Sequence, residues 1–271
     1  MATTPLLLVG GGKMGGALVT GWLDRGVEPG AITVIDPDAR TREAHRRRGV
    51  NAVAGLDEVP AGFAPAVVVL AVKPQAMDEV LPPYTRFTGP DTVFLSIAAG
   101  RTIASLTRHL GNDAAVVRAM PNTPAAVGRG VTVMCANATV TEAHRTACDE
   151  LLRAAGETGW VEDEDQIDAV TAVAGSGPAY VFHLIECLAA AGVEQGLPDE
   201  LARRIARATV AGAGELARQR PEPAEELRAN VTSPGGTTQA ALDVLMAADG
   251  LRPLIGRTVA AAVRRSRELA G

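Results

Sequence analysis

The sequence predicts a chain in two parts: an α/β N-terminal part with a doubly wound parallel sheet, and an all-α C-terminal part. Three observations predict this division. Strand-like and helix-like segments alternate over the first part, a glycine-rich turn follows the first strand, and the acidic run at 162–165 ends the alternation. Beyond that run we find only helical periodicity and alanine-rich helix composition. We therefore place the two domains at residues 1–163 and 164–271.

Apolar runs separated by helical patterns define the first part. The run Val-Val-Val-Leu-Ala at 67–71 is apolar on both faces, as a central parallel strand requires. The predicted strands cover residues 6–9, 32–35, 67–71, 92–96, 115–119, 131–136 and 158–161, and the predicted helices cover 13–25, 40–48, 102–110 and 141–155. This alternation predicts a parallel sheet with helices on both faces.

Helices alone are predicted for the second part. They cover residues 178–194, 198–220, 225–230, 237–248 and 251–269. Several are apolar on more than one face, and the segment 202–216 is an example. A single small layer of helices hardly buries so many faces, so we expect a homodimer through the helical domain. A compact monomeric bundle is the alternative.

Bulk composition narrows the class of protein. The net charge of −5 argues against a general nucleic-acid binder. We find no apolar run of the roughly 20 residues that a membrane helix needs, and no signal-peptide pattern at the N-terminus. Cys135, Cys148 and Cys187 fit no metal spacing and are expected to be buried, reduced thiols. These features predict a cytoplasmic protein without metal, nucleic-acid or membrane partners.

The run GGGKMG at 10–15 is the first anion-binding motif. It follows a strand and opens a helix, which is the setting in which GxGxxG indicates a dinucleotide site. Gly10 permits the tight turn, Gly12 lets the pyrophosphate approach the backbone, and Gly15 lets the helix pack on the sheet. A glycine-rich turn without a cofactor is the alternative. The predicted cofactor-binding residues of this run are Gly10, Gly11, Gly12, Lys13, Met14 and Gly15.

Asp36 ends the second strand and bears on the choice of cofactor. A carboxylate there can accept hydrogen bonds from both ribose hydroxyls and repels a 2′-phosphate, which makes NADH use plausible. Arg40 and Arg42 lie close behind and could pair such a phosphate. The same arginines could equally form a solvated helix face. The cofactor is therefore predicted as NADPH or NADH.

Three further strand ends complete a predicted ligand crevice. Small residues at the carboxyl ends of parallel strands leave room for a ligand, although each of these segments could be an ordinary turn. Asn122 lies between two prolines and offers both a donor and an acceptor. The cofactor-binding residues predicted at these ends are Ala71, Val72, Lys73, Pro74, Ala98, Ala99, Gly100 and Asn122.

A second anion-binding corner is predicted in the helical part. The run Ser-Pro-Gly-Gly-Thr-Thr at 233–238 opens directly into an Ala/Leu helix, whose unpaired N–H groups can hold a carboxylate. Another helix start at 174–180 is expected to share its pocket, although it could merely cap a long helix. The predicted substrate-binding residues are Ser176, Gly177, Pro178, Gly235, Gly236, Thr237 and Thr238.

The motifs together resemble those of pyrroline-5-carboxylate reductases over nearly the whole chain. GGGKMGG, AVKP, SIAAG, RAMPNTPA, AGSGPAY and VTSPGGTT occur in the order and at the spacings of that family. The resemblance implies a Rossmann-like domain, a helical dimerisation domain, and in some members a larger ring of dimers. It also implies that NAD(P)H reduces 1-pyrroline-5-carboxylate to L-proline, the last step of proline biosynthesis. By this resemblance Asn230 and the loop 235–238 contact cofactor and substrate across the subunit interface, whereas Asp36 departs from the family, in which a smaller polar residue is common.

The chemistry of an imine substrate agrees with the residues present. A cyclic imine can take up a proton in water before it binds, so no strong general acid is needed, and none is evident. We expect the catalytic residue Thr238 to hydrogen-bond the imine nitrogen through its hydroxyl while the site positions the reactants. The four histidines stand in helix patterns and are predicted as ordinary surface or core residues: His45, His109, His144 and His183.

Two other functions compete with this prediction. A β-hydroxyacid dehydrogenase resembles the chain in its first motif, but enzymes of that kind use a lysine of the second domain as acid/base. This chain has no lysine after Lys73, which counts against that alternative. A non-catalytic NAD(P)-binding sensor is the other, and it would have no need of the second anion-binding corner.

Overall fold

The computed structural model describes residues 4–270 and divides the chain into two compact units. The first unit comprises Met1–Gly175 together with Val263–Gly271, and the second comprises Ser176–Ala262. The domain boundary after residue 163 stays a prediction. The two units are defined by the packing of residues against one another, which does not show what each residue does.

The first unit is built on one sheet of eight strands, in the order β3-β2-β1-β4-β5-β6-β7-β8. Its strands pair in parallel except β6 and β7, which are antiparallel. The strands are β1 Leu6–Val9, β2 Ile32–Ile35, β3 Asn51–Val53, β4 Val67–Leu70, β5 Val93–Ser96, β6 Ala115–Met120, β7 Gly130–Ala136 and β8 Gly156–Trp160.

Helices cover this sheet and make up the second unit. The first part of the chain contains α1 Lys13–Asp24, α2 Ala39–Arg46, α3 Met77–Val80, α4 Ile103–Leu110, α5 Glu142–Leu152 and α6 Gln166–Val170. They are followed by α7 Gly177–Glu194, α8 Asp199–Gln219, α9 Ala224–Asn230, α10 Thr237–Leu245 and α11 Leu251–Ala270. The predicted fold class, an α/β sheet domain followed by helices, is confirmed.

Both faces of the sheet are buried, as the apolar strand sequences require. In β1, Leu6 and Leu8 belong to one core cluster, while Leu7 and Val9 belong to the other. Successive side chains of a strand point to opposite faces, so a strand that is apolar throughout must be covered on both sides. This is why the pattern of uninterrupted apolar runs located the central strands correctly.

Two features of the sheet differ from the prediction. The sheet is not wholly parallel, because the connection between β6 and β7 is too short for the crossover that a parallel pair needs. The short edge strand β3 was not predicted at all. Its three residues, Asn-Ala-Val, are too few to form a recognisable apolar run. Only the pairing with β2 identifies them as a strand.

The second unit has almost no core of its own. Its buried residues are Ala189, Ala202 and Ala206, all of them small. Its exposed large apolar side chains are Val181, Phe182, Leu184, Leu188, Val193, Ile205, Leu216, Val231, Val244, Leu245, Met246, Leu251, Leu254 and Ile255. Exposed apolar surface on this scale marks an interaction site in a stable protein.

Two sequence predictions about this part of the chain were wrong. By length and composition the helical stretch Gln166–Glu194 is apolar enough to cross a membrane, with a mean hydropathy of 1.2 and 11% of its most apolar window buried. The prediction counted unbroken apolar runs, whereas in this stretch many alanines and few charged residues give a high mean hydropathy. Cys187 is exposed, unlike Cys135 and Cys148, which are buried as predicted.

Candidate active site

The loops of the first anion-binding corner emerge at one edge of the sheet. Val9, the last residue of β1, pairs with Ile35 of β2 on one side and with Leu70 of β4 on the other. Leu70 in turn pairs with Ser96, the last residue of β5. The chain therefore leaves β1 toward one side and returns on the other, and ligands of such sheets bind at this switch point, outside the carboxyl ends of the strands.

The glycines at 10–15 have separable roles in this loop. Gly10 has a φ of +97°, and a Cβ there would lie 2.7 Å from the carbonyl oxygen of Ala71. A Cβ on Gly15 would clash with the carbonyl oxygen of Gly10, which requires glycine where α1 packs on the loop. Gly12 is different, because no heavy atom lies within 4 Å of its would-be Cβ. The protein itself requires Gly10 and Gly15, whereas the space at Gly12 is free for a ligand.

The N-terminus of α1 is open to an anion. Gly12 is its N-cap residue, and no side chain caps it. The first N–H groups of a helix have no partner within the helix, and the helix dipole favours negative charge there. The residues present therefore fit the pyrophosphate of a dinucleotide.

Asp36 lies beside this loop and is already hydrogen-bonded. One carboxylate oxygen accepts from the N–H of Gly11 at 2.8 Å, and the other accepts from the N–H of Asp38 at 2.9 Å. Arg42 donates to the carbonyl oxygens of Asp36 and Pro37 at 2.8 and 2.7 Å. The guanidinium of Arg42 thus stabilises the turn after β2, a structural role that the sequence did not indicate. Arg40 is exposed.

An ion-pair network holds the loop that follows β5. Gly100 adopts a φ of +73°, and the next residue, Arg101, makes two hydrogen bonds to the carboxylate of Asp78 in α3. His109 of α4 contacts the same carboxylate at 2.9 Å. Arg101 first, and His109 second, hold the pKa of Asp78 below its usual value. The loop after β5, the helix α3 and the end of α4 are tied together in this way.

Asn122 has a structural role that the sequence did not reveal. Its side-chain amide donates to the carbonyl oxygen of Ala174 at 3.1 Å, and its oxygen accepts from the N–H of Val131 at 3.0 Å. Ala174 lies in the π-helical turn Thr171–Gly175. These contacts join the end of β6 to that turn, so binding of the cofactor by Asn122 stays a prediction.

The second anion-binding corner is formed within the second unit. Gly235 has a φ of +70°, and Gly236 is the N-cap of α10, which no side chain caps. Thr237 and Thr238 are the first two residues of α10, so their N–H groups lack partners within the helix. Thr238 is half-buried. The loop thus offers backbone donors and a hydroxyl together, as a carboxylate next to a nitrogen requires.

The other predicted substrate residues lie at a similar helix start. Ser176 precedes α7, Gly177 is its first residue and Pro178 its second, where the missing N–H of proline costs nothing. All three are half-buried, whereas Asn230, the last residue of α9, is exposed.

His45 is a residue near the site that sequence reasoning missed. It was predicted to be an ordinary surface or core histidine, and it is buried, but its Nε2 also lies 3.0 Å from the carbonyl oxygen of Gly11, a contact that the sequence did not indicate. The only signal in the sequence was Gly11, the second glycine of the run at 10–12, because the GxGxxG motif does not require a glycine at that position. A Cβ there would lie 2.7 Å from that same Nε2.

The remaining cysteine and histidine side chains lie in the core, at a helix cap or at the surface. Burial raises the pKa of the Cys148 thiol to about 12, so this cysteine is not a nucleophile. His144 belongs to the capping box of α5, and His183 is exposed. Within residues 4–270 no group of three or more His, Cys, Asp or Glu side chains is arranged to hold a metal ion.

The fold and these two corners define a class: an oxidoreductase that binds a nicotinamide dinucleotide at a Rossmann-like sheet. The family described as pyrroline-5-carboxylate reductase dimerisation matches residues 164–269, and that described as NADP oxidoreductase coenzyme F420-dependent matches residues 6–100. The pyrroline-5-carboxylate reductase of Pseudomonas aeruginosa is 41% identical over 100% of this chain and 98% of its own length. That of Glycine max is 37% identical over 96% and 94%.

Solved structures agree with the sequence relatives. A pyrroline-5-carboxylate reductase from Coxiella burnetii superposes with a TM-score of 0.94 at 34% identity, covering 99% of both chains. The Plasmodium falciparum pyrroline carboxylate reductase with NADP bound has a TM-score of 0.80 at 28% identity, with full coverage of both chains. The chain belongs to the pyrroline-5-carboxylate reductase family, which confirms the resemblance noted in its motifs.

Proposed function

We propose that the chain reduces 1-pyrroline-5-carboxylate to L-proline with NAD(P)H, the last step of proline biosynthesis. The observation that carries this proposal is the pair of uncapped helix N-termini, α1 and α10, each preceded by glycine. The first suits a pyrophosphate and the second a small carboxylate. Membership of the family supports the same reaction.

The proposed division of roles follows from these two corners. The loop at 10–15 holds the pyrophosphate through the N–H groups of α1, and the other strand ends of residues 1–163 line the dinucleotide. NAD(P)H supplies the hydride from C4 of its nicotinamide. In residues 164–271, the loop at 235–238 binds the carboxylate of the imine through the N–H groups of Thr237 and Thr238, since the N–H of Gly236 already donates to the carbonyl oxygen of Ser233. The hydroxyl of Thr238 hydrogen-bonds the imine nitrogen. The family match over 164–269 supports this boundary, and by family resemblance Asn230 also contacts the cofactor.

A comparison of substrates and cofactors tests this function directly. We expect the purified protein to oxidise NADH and NADPH in the presence of 1-pyrroline-5-carboxylate, and to show no reduction of NAD(P)⁺ with β-hydroxy acids. Removing a proton from an alcohol needs a base, and the chain has no lysine after Lys73 to serve as one. Binding of cofactor without oxidation by the imine would instead support the sensor alternative.

Asp36 leads us to propose that NADH is used alongside or in preference to NADPH. Its carboxylate oxygens retain lone pairs after accepting from Gly11 and Asp38, so they can also accept from ribose hydroxyls. A 2′-phosphate at the same place would meet this negative charge. The ratio of kcat/KM values for the two cofactors in the substrate comparison measures the preference.

We propose that the working form is a homo-oligomer, with a homodimer through the helical domain as its unit and a ring of dimers as its larger form. The exposed apolar side chains of α7, α8, α10 and α11 support this, because the second unit buries only three alanines by itself. The stretch Gln166–Glu194 is assigned to this subunit contact and not to a membrane. The proposed location is the cytoplasm, with a small imine as substrate and no nucleic-acid or membrane partner.

Replacing Thr238 with alanine is expected to lower kcat about tenfold, because the hydroxyl no longer orients the imine nitrogen. The dissociation constant for NADH should stay within twofold of wild type. Thr237→Ala is the matched control, since the proposed role of Thr237 uses only its backbone N–H, which alanine keeps. Steady-state kinetics with both substrates varied measures these effects. Wild-type kcat in Thr238→Ala would show that the hydroxyl has no such role.

A further inference from the structure

The Gly11 residue of the dinucleotide loop is held from both sides by buried side chains. Its N–H donates to a carboxylate oxygen of Asp36 at 2.8 Å, and its carbonyl oxygen accepts from Nε2 of His45 at 3.0 Å. Asp36 is 9% exposed and His45 is 5% exposed. One contact comes from the end of β2 and the other from α2, 34 residues away along the chain.

The contact defines which ring nitrogen of His45 carries a proton. A carbonyl oxygen can only accept, so His45 must carry a proton on Nε2 to make this hydrogen bond. Its Nδ1 is buried and has no hydrogen-bond partner in the described part of the chain. Of the two ring nitrogens, only Nε2 therefore hydrogen-bonds the loop. Substitutions that keep a donor at the position of Nε2 or of Nδ1 can test this role.

The direction of the neighbouring N–H depends on this hydrogen bond. The carbonyl of Gly11 and the N–H of Gly12 belong to one planar trans peptide and point in opposite directions. The two glycines on either side of that peptide leave it free to rotate, because neither has a Cβ to restrict it. By holding the carbonyl oxygen of Gly11, His45 keeps the N–H of Gly12 turned to the other side.

The same side chain borders the space next to the loop. A groove of about 390 Å³ opens between α1 and α2, and the ionisable groups that line it are all basic. Its lining residues are Gly11, Gly12, Lys13, Gly16, Thr41, Ala44, His45 and Arg48. His45 thus lies where the loop, the α1 N-terminus and a cationic surface meet.

We propose that His45 is a positioning residue for cofactor binding, which holds the Gly11–Gly12 peptide in the orientation that a pyrophosphate requires. The proposal rests on the proposed function only in taking NAD(P)H as the ligand. His45 does not touch the reacting atoms, so it acts on cofactor affinity and not on the chemical step. A hydrogen bond of this kind changes affinity by about five- to tenfold when it is lost.

Three substitutions at this position separate the two ring nitrogens. Glutamine can place its amide nitrogen near the position of Nε2, whereas asparagine reaches only the position of Nδ1, and leucine makes neither contact. We expect His45→Leu and His45→Asn to raise the dissociation constant for NADH about five- to tenfold, and His45→Gln to stay within twofold of wild type. The value of kcat at saturating NADH and the KM for 1-pyrroline-5-carboxylate should not change in any of them.

Equilibrium titration of NADH, followed by its own fluorescence and without imine, gives the dissociation constants. Thermal melting without cofactor identifies a variant that is unfolded, and the asparagine and glutamine pair decides the matter if the leucine variant is lost. Equal affinity in the asparagine and glutamine variants would overturn the proposal, as would a lower kcat at saturating cofactor. A wild-type protein that binds NADH but fails to reduce the imine would refute the proposed function and leave this comparison intact.

Discussion

Replacing Gly12 with valine is expected to weaken NADH binding by at least about 100-fold while the protein stays folded. In the structure no heavy atom lies within 4 Å of a Cβ at Gly12, so the protein has room for a side chain. The pyrophosphate is expected to occupy that room, close to the N-terminus of α1. A branched side chain would exclude it from the helix N–H groups, and a 100-fold loss corresponds to about 3 kcal/mol of binding free energy.

Titration of NADH and thermal melting of the same samples measure the two parts of this expectation. Gly16→Ala is the matched control in the same helix, because its Cβ would meet the carbonyl oxygen of Gly11 at 3.5 Å, an ordinary contact. It should keep both affinity and melting temperature. Gly15→Ala should behave in the opposite way and destabilise the loop itself, because its Cβ clashes with Gly10. Unchanged affinity in Gly12→Val would mean that the dinucleotide does not approach this residue.

The second large effect is expected from charges placed on the apolar surface of the second unit. Val244 and Leu254 are 72% and 50% exposed in the single chain, although both are large and apolar. Burial of each against another subunit contributes about 1.5–3 kcal/mol, and an unpaired aspartate there costs several kcal/mol more. The double variant Val244→Asp, Leu254→Asp should therefore be a monomer and lose nearly all activity, because the second unit has no core of its own to keep it ordered.

Light scattering after gel filtration gives the mass, and the imine-dependent oxidation of NADH gives the activity. The matched control is Val127→Asp, since Val127 is 73% exposed but lies in the first unit, in the connection between β6 and β7. It should keep the wild-type mass. A double variant that remains an oligomer would place the subunit contact elsewhere, and a wild-type monomer with full activity would refute the proposed homodimer.

Much of the fold and of the first anion-binding corner could be predicted because the signals are local. The strand β1 is an unbroken apolar run and β2 is apolar except for Thr33, and their ends carry the glycines and Asp36 that the structure brings to one edge. That convergence follows from the parallel pairing alone, which the alternation of strands and helices already implied. The second corner was predicted for a similar reason, since glycines followed directly by a helix define an uncapped N-terminus.

The sequence failed where a feature depends on a distant partner. The strand β3 exists only through its pairing with β2, and the antiparallel β7 depends on how a short connection turns back. Cys187 is exposed because it lies on a side of α7 that is not covered in the single chain. None of these features leaves a periodicity or composition that a short window of sequence can detect.

By itself, the sequence determined which family this protein belongs to and predicted which of its loops meet a ligand, since glycines, helix starts and their spacing lie within a few residues of one another. Only the tertiary structure decided which polar atoms in those loops are free. The side chain of Asn122 is engaged by Ala174 and Val131, and Gly11 is held by Asp36 and His45. The partners in these hydrogen bonds are remote in sequence, and each donor or acceptor can make only a limited number of bonds. The folded chain alone therefore determines which donors and acceptors remain available to a ligand.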